Sequence, residues 1–218
     1  MAIDWDFIAE IEGESKHKTS GYVPHKGKSG FTVGSFDIGQ HSGEDIRRII
    51  QSYQNKLGKT YPLAQTTDLY KKLVPYTEEG RIGSVWSEFG SREGYDMLAK
   101  TEEFKEDEIK YLVDAKRYEF ERNVGSDQFK EDFPEWGKFD DRTKTVLSSV
   151  GWQFGTGEGS PFRKLYSLKG DKKAIAKELR LMSKDDYEYR RGREVEYLEN
   201  DPAFSEMKRL DNPVGHRE

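Results

Sequence analysis

The sequence contains no cysteine and only four histidines among its 218 residues. Without cysteine, neither a disulfide framework nor a thiolate metal site can form. The histidines never follow a zinc-binding spacing such as HExxH; they are His17, His25, His41 and His216. We therefore expect no metal site and no cofactor that depends on one.

Long apolar runs are also missing. No stretch of about 18 apolar residues is present, so we expect no transmembrane helix. The N-terminal MAIDWDFIAEIEG lacks a basic region followed by an apolar stretch. We therefore expect a protein made in the cytoplasm without a cleavable signal peptide.

The chain has no net positive charge, since 36 Lys and Arg residues stand against 41 Asp and Glu residues and the net charge is -5. This balance argues against a nucleic-acid partner, because such binding needs a basic surface. One local exception lies between residues 161 and 193, where 11 Lys and Arg residues stand against 5 Asp and Glu residues. That segment could face an anionic polymer, but a solvated helix surface is the favoured interpretation.

What the chain does have is charge and aromatic rings. Charged residues make up 35% of it, and 12 Tyr, 12 Phe and 4 Trp supply large packing units. This composition is typical of a folded protein rather than of a disordered one.

Residues 3–12 are predicted to form a short amphipathic helix. Its apolar face consists of Ile3, Phe7, Ile8 and Ile11. Asp4 is the predicted N-cap, and Gly13 ends the helix. Glu12 then lies at the border of the apolar face and at the helix C-terminus, where the dipole disfavours negative charge. Both effects favour a protonated carboxyl group, as a general acid requires.

Residues 31–38 alternate as a hairpin does, with Gly34-Ser35 as a two-residue turn. In that register Thr32 and Asp37 face each other on one side of the pair. The other side, directed to the core, carries Phe31, Val33, Phe36 and Ile38.

The sequence after residue 42 is predicted to be helical. The predicted helices span 42–57, 67–74, 82–89, 91–100, 105–124, 141–154, 161–168, 172–182 and 186–199. The glycine-rich segment 155–160 follows a helix and lacks a Lys-Ser/Thr pair, so it predicts a turn rather than a phosphate loop.

These elements predict an α+β fold that is mainly α. We expect one domain over 1–218, with a β-hairpin lobe at about 13–41, a helical lobe at about 42–200 and a C-terminal tail at 201–218. A glutamate that favours its proton and an aspartate in a polar hairpin form the pair of carboxyl groups used in glycosidic cleavage.

Three motifs in order resemble a known family. FIAEIEG, GYVP and SGFTVGSFDIGQ are similar to the pesticin-like muramidase domain of the phage-type lysozyme superfamily. Downstream, LSSVGWQFGTGEGSPFRKLY and RRGREVEYL resemble the helices of the phage lysozyme C-terminal lobe, so the resemblance covers most of the chain. One departure is that the family often has a further glycine between the threonine and the aspartate, and TVGSFD is shorter.

The resemblance implies a lysozyme-like fold, with the active site in a cleft between the lobes, and no cofactor. It implies that Glu12 is the catalytic acid, that Asp37 and Thr32 complete the site, and that Tyr22 lines the sugar cleft. The implied reaction is hydrolysis of the β-1,4 bond between N-acetylmuramic acid and N-acetylglucosamine. A lytic transglycosylase and a non-catalytic peptidoglycan-binding module are the alternatives.

The implied partner is the peptidoglycan glycan strand, with the protein acting as a monomer. An enzyme without a signal peptide needs help to reach the periplasm. A phage endolysin would pass through a holin pore, and an antibacterial toxin would use a secretion machine or carrier. A toxin would also need an immunity protein in its producer.

Overall fold

The structure is a computed structural model of the full chain, and it describes residues 3–12, 21, 31–58, 63–77, 103–182 and 188–200. The helices are α1 Trp5–Glu12, α2 Gly43–Leu57, α3 Leu63–Leu73, α4 Glu106–Gly125, α5 Asp127–Asp132, α6 Asp141–Phe154, α7 Pro161–Tyr166, α8 Lys172–Met182 and α9 Glu188–Glu199. Two short strands, β1 Thr32–Val33 and β2 Phe36–Asp37, pair antiparallel. Short 3₁₀ turns occupy Ile38–Gln40, Val74–Tyr76 and Trp136–Lys138.

The described residues are therefore mainly helical with one hairpin, which confirms the predicted α+β class at this level. The predicted helices over 82–89 and 91–100 lie outside the described residues. α5 was not predicted, and α3 begins at Leu63 rather than at residue 67. No helix in the described part of the chain has the length and apolarity needed to cross a membrane.

Side chains cap the N-termini of α1 and α2, and the cap of α1 is the predicted one. Asp4 Oδ1 accepts from the Phe7 backbone N–H at 2.9 Å, so Asp4 is the N-cap of α1. Ser42 Oγ accepts from the backbone N–H of Asp45 at 3.0 Å and starts α2 in the same way. Between α6 and α7, Gly155 and Gly159 adopt φ values of 74° and 73°, so the glycine-rich segment forms a turn as predicted.

The chain divides into two compact units. One comprises Met1–Glu12 and Asp127–Glu218, and the other comprises Gly13–Ser126. The hairpin thus belongs with α2, α3 and α4, a larger grouping than the expected lobe at 13–41. The single-domain interpretation stays a prediction.

In the unit Gly13–Ser126, α2 and α4 pack against each other and α4 packs on the hairpin. All four hairpin residues predicted to face the core are 0% exposed, namely Phe31, Val33, Phe36 and Ile38. They join a core that includes Ile46 of α2 and Leu112 of α4. Burial of this apolar area is the main favourable term that holds the hairpin on the helices.

The turn of the hairpin requires its glycine. Gly34 has a φ of 62°, a left-handed conformation that glycine adopts without strain. A Cβ atom at this position would lie 2.6 Å from Val113 Cγ2 on α4. Gly34 therefore lets the turn approach the helix closely.

In the other unit, α6 is the most buried helix, with Val146, Leu147 and Val150 all 0% exposed. It packs against α7 and α9, and α8 packs against α9. An aromatic cluster adjoins it, formed by Phe129, Phe133, Trp136, Phe139, Phe162 and Tyr166.

Candidate active-site residues

Glu12 is the last residue of α1, at the position where the sequence predicts a catalytic acid. The apolar face of the helix is as predicted, because Phe7, Ile8 and Ile11 are buried and Ile3 packs against them. These contacts fix the helix and hold Glu12 at the edge of the buried face. The Glu12 side chain is 18% exposed.

Arg190 of α9 forms an ion pair with the Glu12 carboxylate. The arginine is itself buried, and three further acceptors hold it. Its guanidinium donates to the Ser149 carbonyl at 2.7 Å, to the Ser149 hydroxyl at 3.1 Å and to Glu194 at 3.4 Å. Because these bonds fix Arg190 independently, Glu12 contacts a preorganised cation.

Glu194 lies at the centre of this network and its side chain is 0% exposed. It accepts hydrogen bonds from the Ser149 hydroxyl and from Arg191, in addition to Arg190. Arg191 also donates to Gln153. Burial lowers the pKa of the Arg191 guanidinium, and the Glu194 carboxylate beside it acts in the opposite direction.

From their helical spacing alone, Arg190, Arg191 and Glu194 are interpreted as an ordinary surface ion pair. That interpretation is wrong, since all three residues are buried. The spacing of charges along a helix is the same on a solvent-exposed face as on a buried face. What buries these charges is the packing of α9 on α6 and α8, which sequence spacing does not reveal.

The ion pair changes the electrostatics expected at Glu12. A guanidinium in contact favours the ionised carboxylate, whereas burial and the helix C-terminus favour the protonated form. Because these influences oppose each other, the protonation of Glu12 near neutral pH stays a prediction.

Thr32 and Asp37 form the first pair of the hairpin, and Val33 and Phe36 form the second. This is the predicted register, so the structure brings Thr32 and Asp37 together across the strands. Thr32 is buried and Asp37 is partly exposed. Asp37 also precedes the 3₁₀ turn Ile38–Gln40, but its side chain makes no capping hydrogen bond there.

The described site residues thus form two groups. Glu12 lies with Arg190 in the unit that contains α6 and α9, and Thr32 lies opposite Asp37 in the unit Gly13–Ser126. Tyr22, the predicted sugar-cleft residue, lies outside the described residues.

A pair that was not predicted lies beside the hairpin. The Lys116 ammonium of α4 is 3.1 Å from His41 Nε2. Burial, followed by the Lys116 charge, lowers the pKa of His41 to about 4. Burial also lowers the pKa of Lys116 to about 8. No motif in the sequence signals this contact, because the two residues are 75 positions apart.

The basic segment 161–193 has acidic partners in the fold. Besides the buried pairs of Arg190 and Arg191, its described ion pairs include Arg163–Asp132, Lys164–Glu178, Lys172–Asp140, Arg180–Glu199 and Arg193–Glu10. These contacts support the favoured interpretation of an ordinary helix surface over that of a polyanion-binding one. Among the described residues, no group of three or more His, Cys, Asp or Glu side chains could hold a metal ion.

Comparison with protein-family models, with curated proteins and with solved structures finds no match for this chain. The resemblance to the pesticin-like muramidases therefore rests on the motifs quoted above.

Proposed function

We propose that this protein is a peptidoglycan hydrolase, a muramidase that cleaves the β-1,4 bond between N-acetylmuramic acid and N-acetylglucosamine. The proposal includes a lysozyme-like fold with the active site in a cleft. Its main support is Glu12, a largely buried carboxylate at a helix end whose arginine partner is fixed by a buried network. The motif order and the pairing of Thr32 with Asp37 add to this support.

In the proposed reaction, Glu12 donates its proton to the departing glycosidic oxygen. Asp37 activates a water that Thr32 holds, and the Asp37 carboxylate stabilises the oxocarbenium-like transition state. The water attacks the anomeric carbon while the glycosidic bond breaks, and its proton passes to Asp37. Inversion by this route requires room for the water, roughly 6.5–9.5 Å between the carboxyl groups.

Glu12 must be protonated before it can act, although Arg190 favours the ionised form. Arg190 keeps its bonds to Ser149 and Glu194 without Glu12, so protonation of Glu12 leaves the arginine partnered. The mechanism therefore requires that bound substrate, by excluding water, shift Glu12 toward its protonated form.

The biological setting follows from the same proposal. The enzyme acts as a monomer on glycan strands in the periplasm. A holin, a secretion machine or a carrier delivers it there, and a toxin of this kind is paired with an immunity protein.

The test is zymography on purified peptidoglycan with the wild type and Glu12→Gln side by side. Loss of general acid catalysis is expected to lower activity about 100-fold or more. Glu10→Gln is the matched control, because Glu10 lies on the same helix and also pairs with an arginine, Arg193, but is exposed. Full activity in Glu12→Gln, or equal losses in both variants, would contradict the assignment of Glu12.

A further inference from the structure

Glu194 is a buried carboxylate that the proposed reaction does not use, yet it shares one guanidinium group with Glu12. Each of the three nitrogens of Arg190 has its own acceptor. Nη1 contacts the Glu12 carboxylate, and Nε donates to Glu194 at 3.4 Å. Nη2 donates to the Ser149 carbonyl at 2.7 Å. Since the side chains of Arg190 and Glu194 are 8% and 0% exposed, two carboxylates flank one cation where little water reaches.

The hydrogen bonds that Glu194 makes are those of an ionised carboxylate. Its Oε1 accepts from the Ser149 hydroxyl and from Arg190, and its Oε2 accepts from Arg191. The Ser149 hydroxyl itself accepts from Arg190 at 3.1 Å, so its single proton is directed to Glu194. Both oxygens of Glu194 therefore act as acceptors, and the residue contributes a negative charge to the network.

The four charges of this network balance. The carboxylates of Glu12 and Glu194 are matched by the guanidinium groups of Arg190 and Arg191. Glu194 thus offsets one of the two positive charges that act on Glu12. Because Coulomb interactions are strong where water is excluded, two arginines acting on Glu12 alone would hold it firmly in its ionised form.

Other charged side chains on α1 and on the helices packed against it have partners of their own. Arg193 of α9 pairs with Glu10 at 2.7 Å. Arg142 of α6 donates to the Tyr197 carbonyl at 2.6 Å, and the Tyr197 hydroxyl donates to Asp4 at 2.9 Å. Within the described network, the charges that bear on the general acid are therefore those of the two buried arginines and the second glutamate.

We propose that Glu194 is a positioning residue for the general acid: its buried negative charge balances Arg190 and Arg191, so that Glu12 can take up the proton it must donate. This inference rests on the proposed function, in which Glu12 protonates the glycosidic oxygen. Arg190 then orients Glu12 by direct contact, while Glu194 limits how strongly that cation favours the ionised form. The balance matters because a general acid acts only while it is protonated.

Carbon-13 NMR of the Glu12 side-chain carboxyl group tests this inference without an activity assay. Glu194→Gln removes the balancing charge and is expected to lower the titration midpoint of Glu12 by about one pH unit or more. Arg191→Gln removes a positive charge from the same network and is expected to raise the midpoint. Glu196→Gln is the matched control, expected to leave the midpoint unchanged, because Glu196 lies on the same helix but is 65% exposed.

The pH dependence of kcat/KM separates positioning from a merely structural role. The alkaline limb of this profile reports the essential acid of the free enzyme. Glu194→Gln is expected to move that limb to lower pH and Arg191→Gln to move it to higher pH, each by the shift seen in the NMR titration. A loss of activity that is the same at every pH in both variants would contradict the inference.

A measurement on the wild type keeps the test decisive if the variants do not fold. The inference predicts a Glu12 midpoint at or above about 4.3, the ordinary value for glutamate, despite the contact with Arg190. A wild-type midpoint well below that value would overturn it, as would an unchanged midpoint in Glu194→Gln or a lower one in Arg191→Gln. A wild type that releases no sugar fragments would instead refute the proposed function, while the titrations would still decide whether Glu194 controls Glu12.

Discussion

Glu194 and Glu196 lie on the same helix and both contact arginines, yet their surroundings differ completely. Glu194 is 0% exposed and bonds to two arginines and a serine, whereas Glu196 is 65% exposed and lies 3.6 Å from Arg193. An ion pair is weak at the surface, but breaking one in the interior leaves a buried charge uncompensated.

Glu194→Gln is therefore expected to destabilise the protein by about 3–5 kcal/mol, because Arg190 and Arg191 would lose their shared buried carboxylate. Glu196→Gln is expected to change stability by no more than about 0.5 kcal/mol. Urea denaturation of both variants measures the difference. Similar, small losses in the two would show that the network is not the stabilising feature described.

Burial of His41 is expected to make the stability of the protein depend on pH. The pKa of His41 falls from 6.5 to about 4 in the folded protein, so the unfolded chain binds more protons between those values. Stability is then unaffected above about pH 6.5 and is lost as the pH falls toward 4, by about 3 kcal/mol in total.

His41→Gln is expected to remove this acid-linked loss. Urea denaturation across this pH range should show a shallower fall in stability for the variant than for the wild type. If both proteins lose stability with the same slope against pH, the folded protein does not hold His41 buried in its neutral form.

Among the structural elements, the hairpin depends most on a single backbone position. Gly34 combines a positive φ with close contact to Val113, whereas Gly58 has nearly the same φ, 64°, and nothing within 4 Å of a built Cβ. The two glycines therefore separate backbone strain from steric clash.

Gly58→Ala is expected to cost about 1–3 kcal/mol from strain alone, because a φ of 64° with a ψ of -129° is rarely adopted by residues other than glycine. Gly34→Ala is expected to cost at least about 1 kcal/mol more, since Val113 or the turn must move. Both can be measured by urea denaturation of the single variants. Equal costs would indicate that the turn does not pack tightly on α4.

Much of the local structure was predictable because its signals are local. Asp4 and Ser42 have the capping side chains that start helices, and the Gly34-Ser35 turn sets the hairpin register. α5 was missed because six residues with only one buried side chain, Phe129, give no clear periodicity. The 3₁₀ turns were missed for the same reason, because they are shorter still.

For the candidate site, the sequence predicted where Glu12, Thr32 and Asp37 lie on their elements but not what surrounds them. The register that pairs Thr32 with Asp37 is confirmed. The partner of Glu12 is 178 positions away, at Arg190, and such a contact depends on how whole helices pack. For the same reason, the sequence did not reveal the contact between Lys116 and His41.

At the scale of the whole molecule, the grouping of elements is the part that sequence patterns could not supply. α1 belongs with the segment that starts at Asp127, although more than 100 residues separate them along the chain. Periodicity describes one helix at a time and carries no information about which distant helix will cover its apolar face.

The products that the wild-type protein releases test the proposed hydrolysis most directly. Purified peptidoglycan should be incubated with the enzyme and the released fragments analysed by mass spectrometry, with Glu12→Gln as the blank. A muramidase is expected to release muropeptides with reducing N-acetylmuramic acid ends, each carrying the added water. Fragments with mainly 1,6-anhydro ends, or no soluble fragments from the wild type, would contradict the proposed muramidase activity.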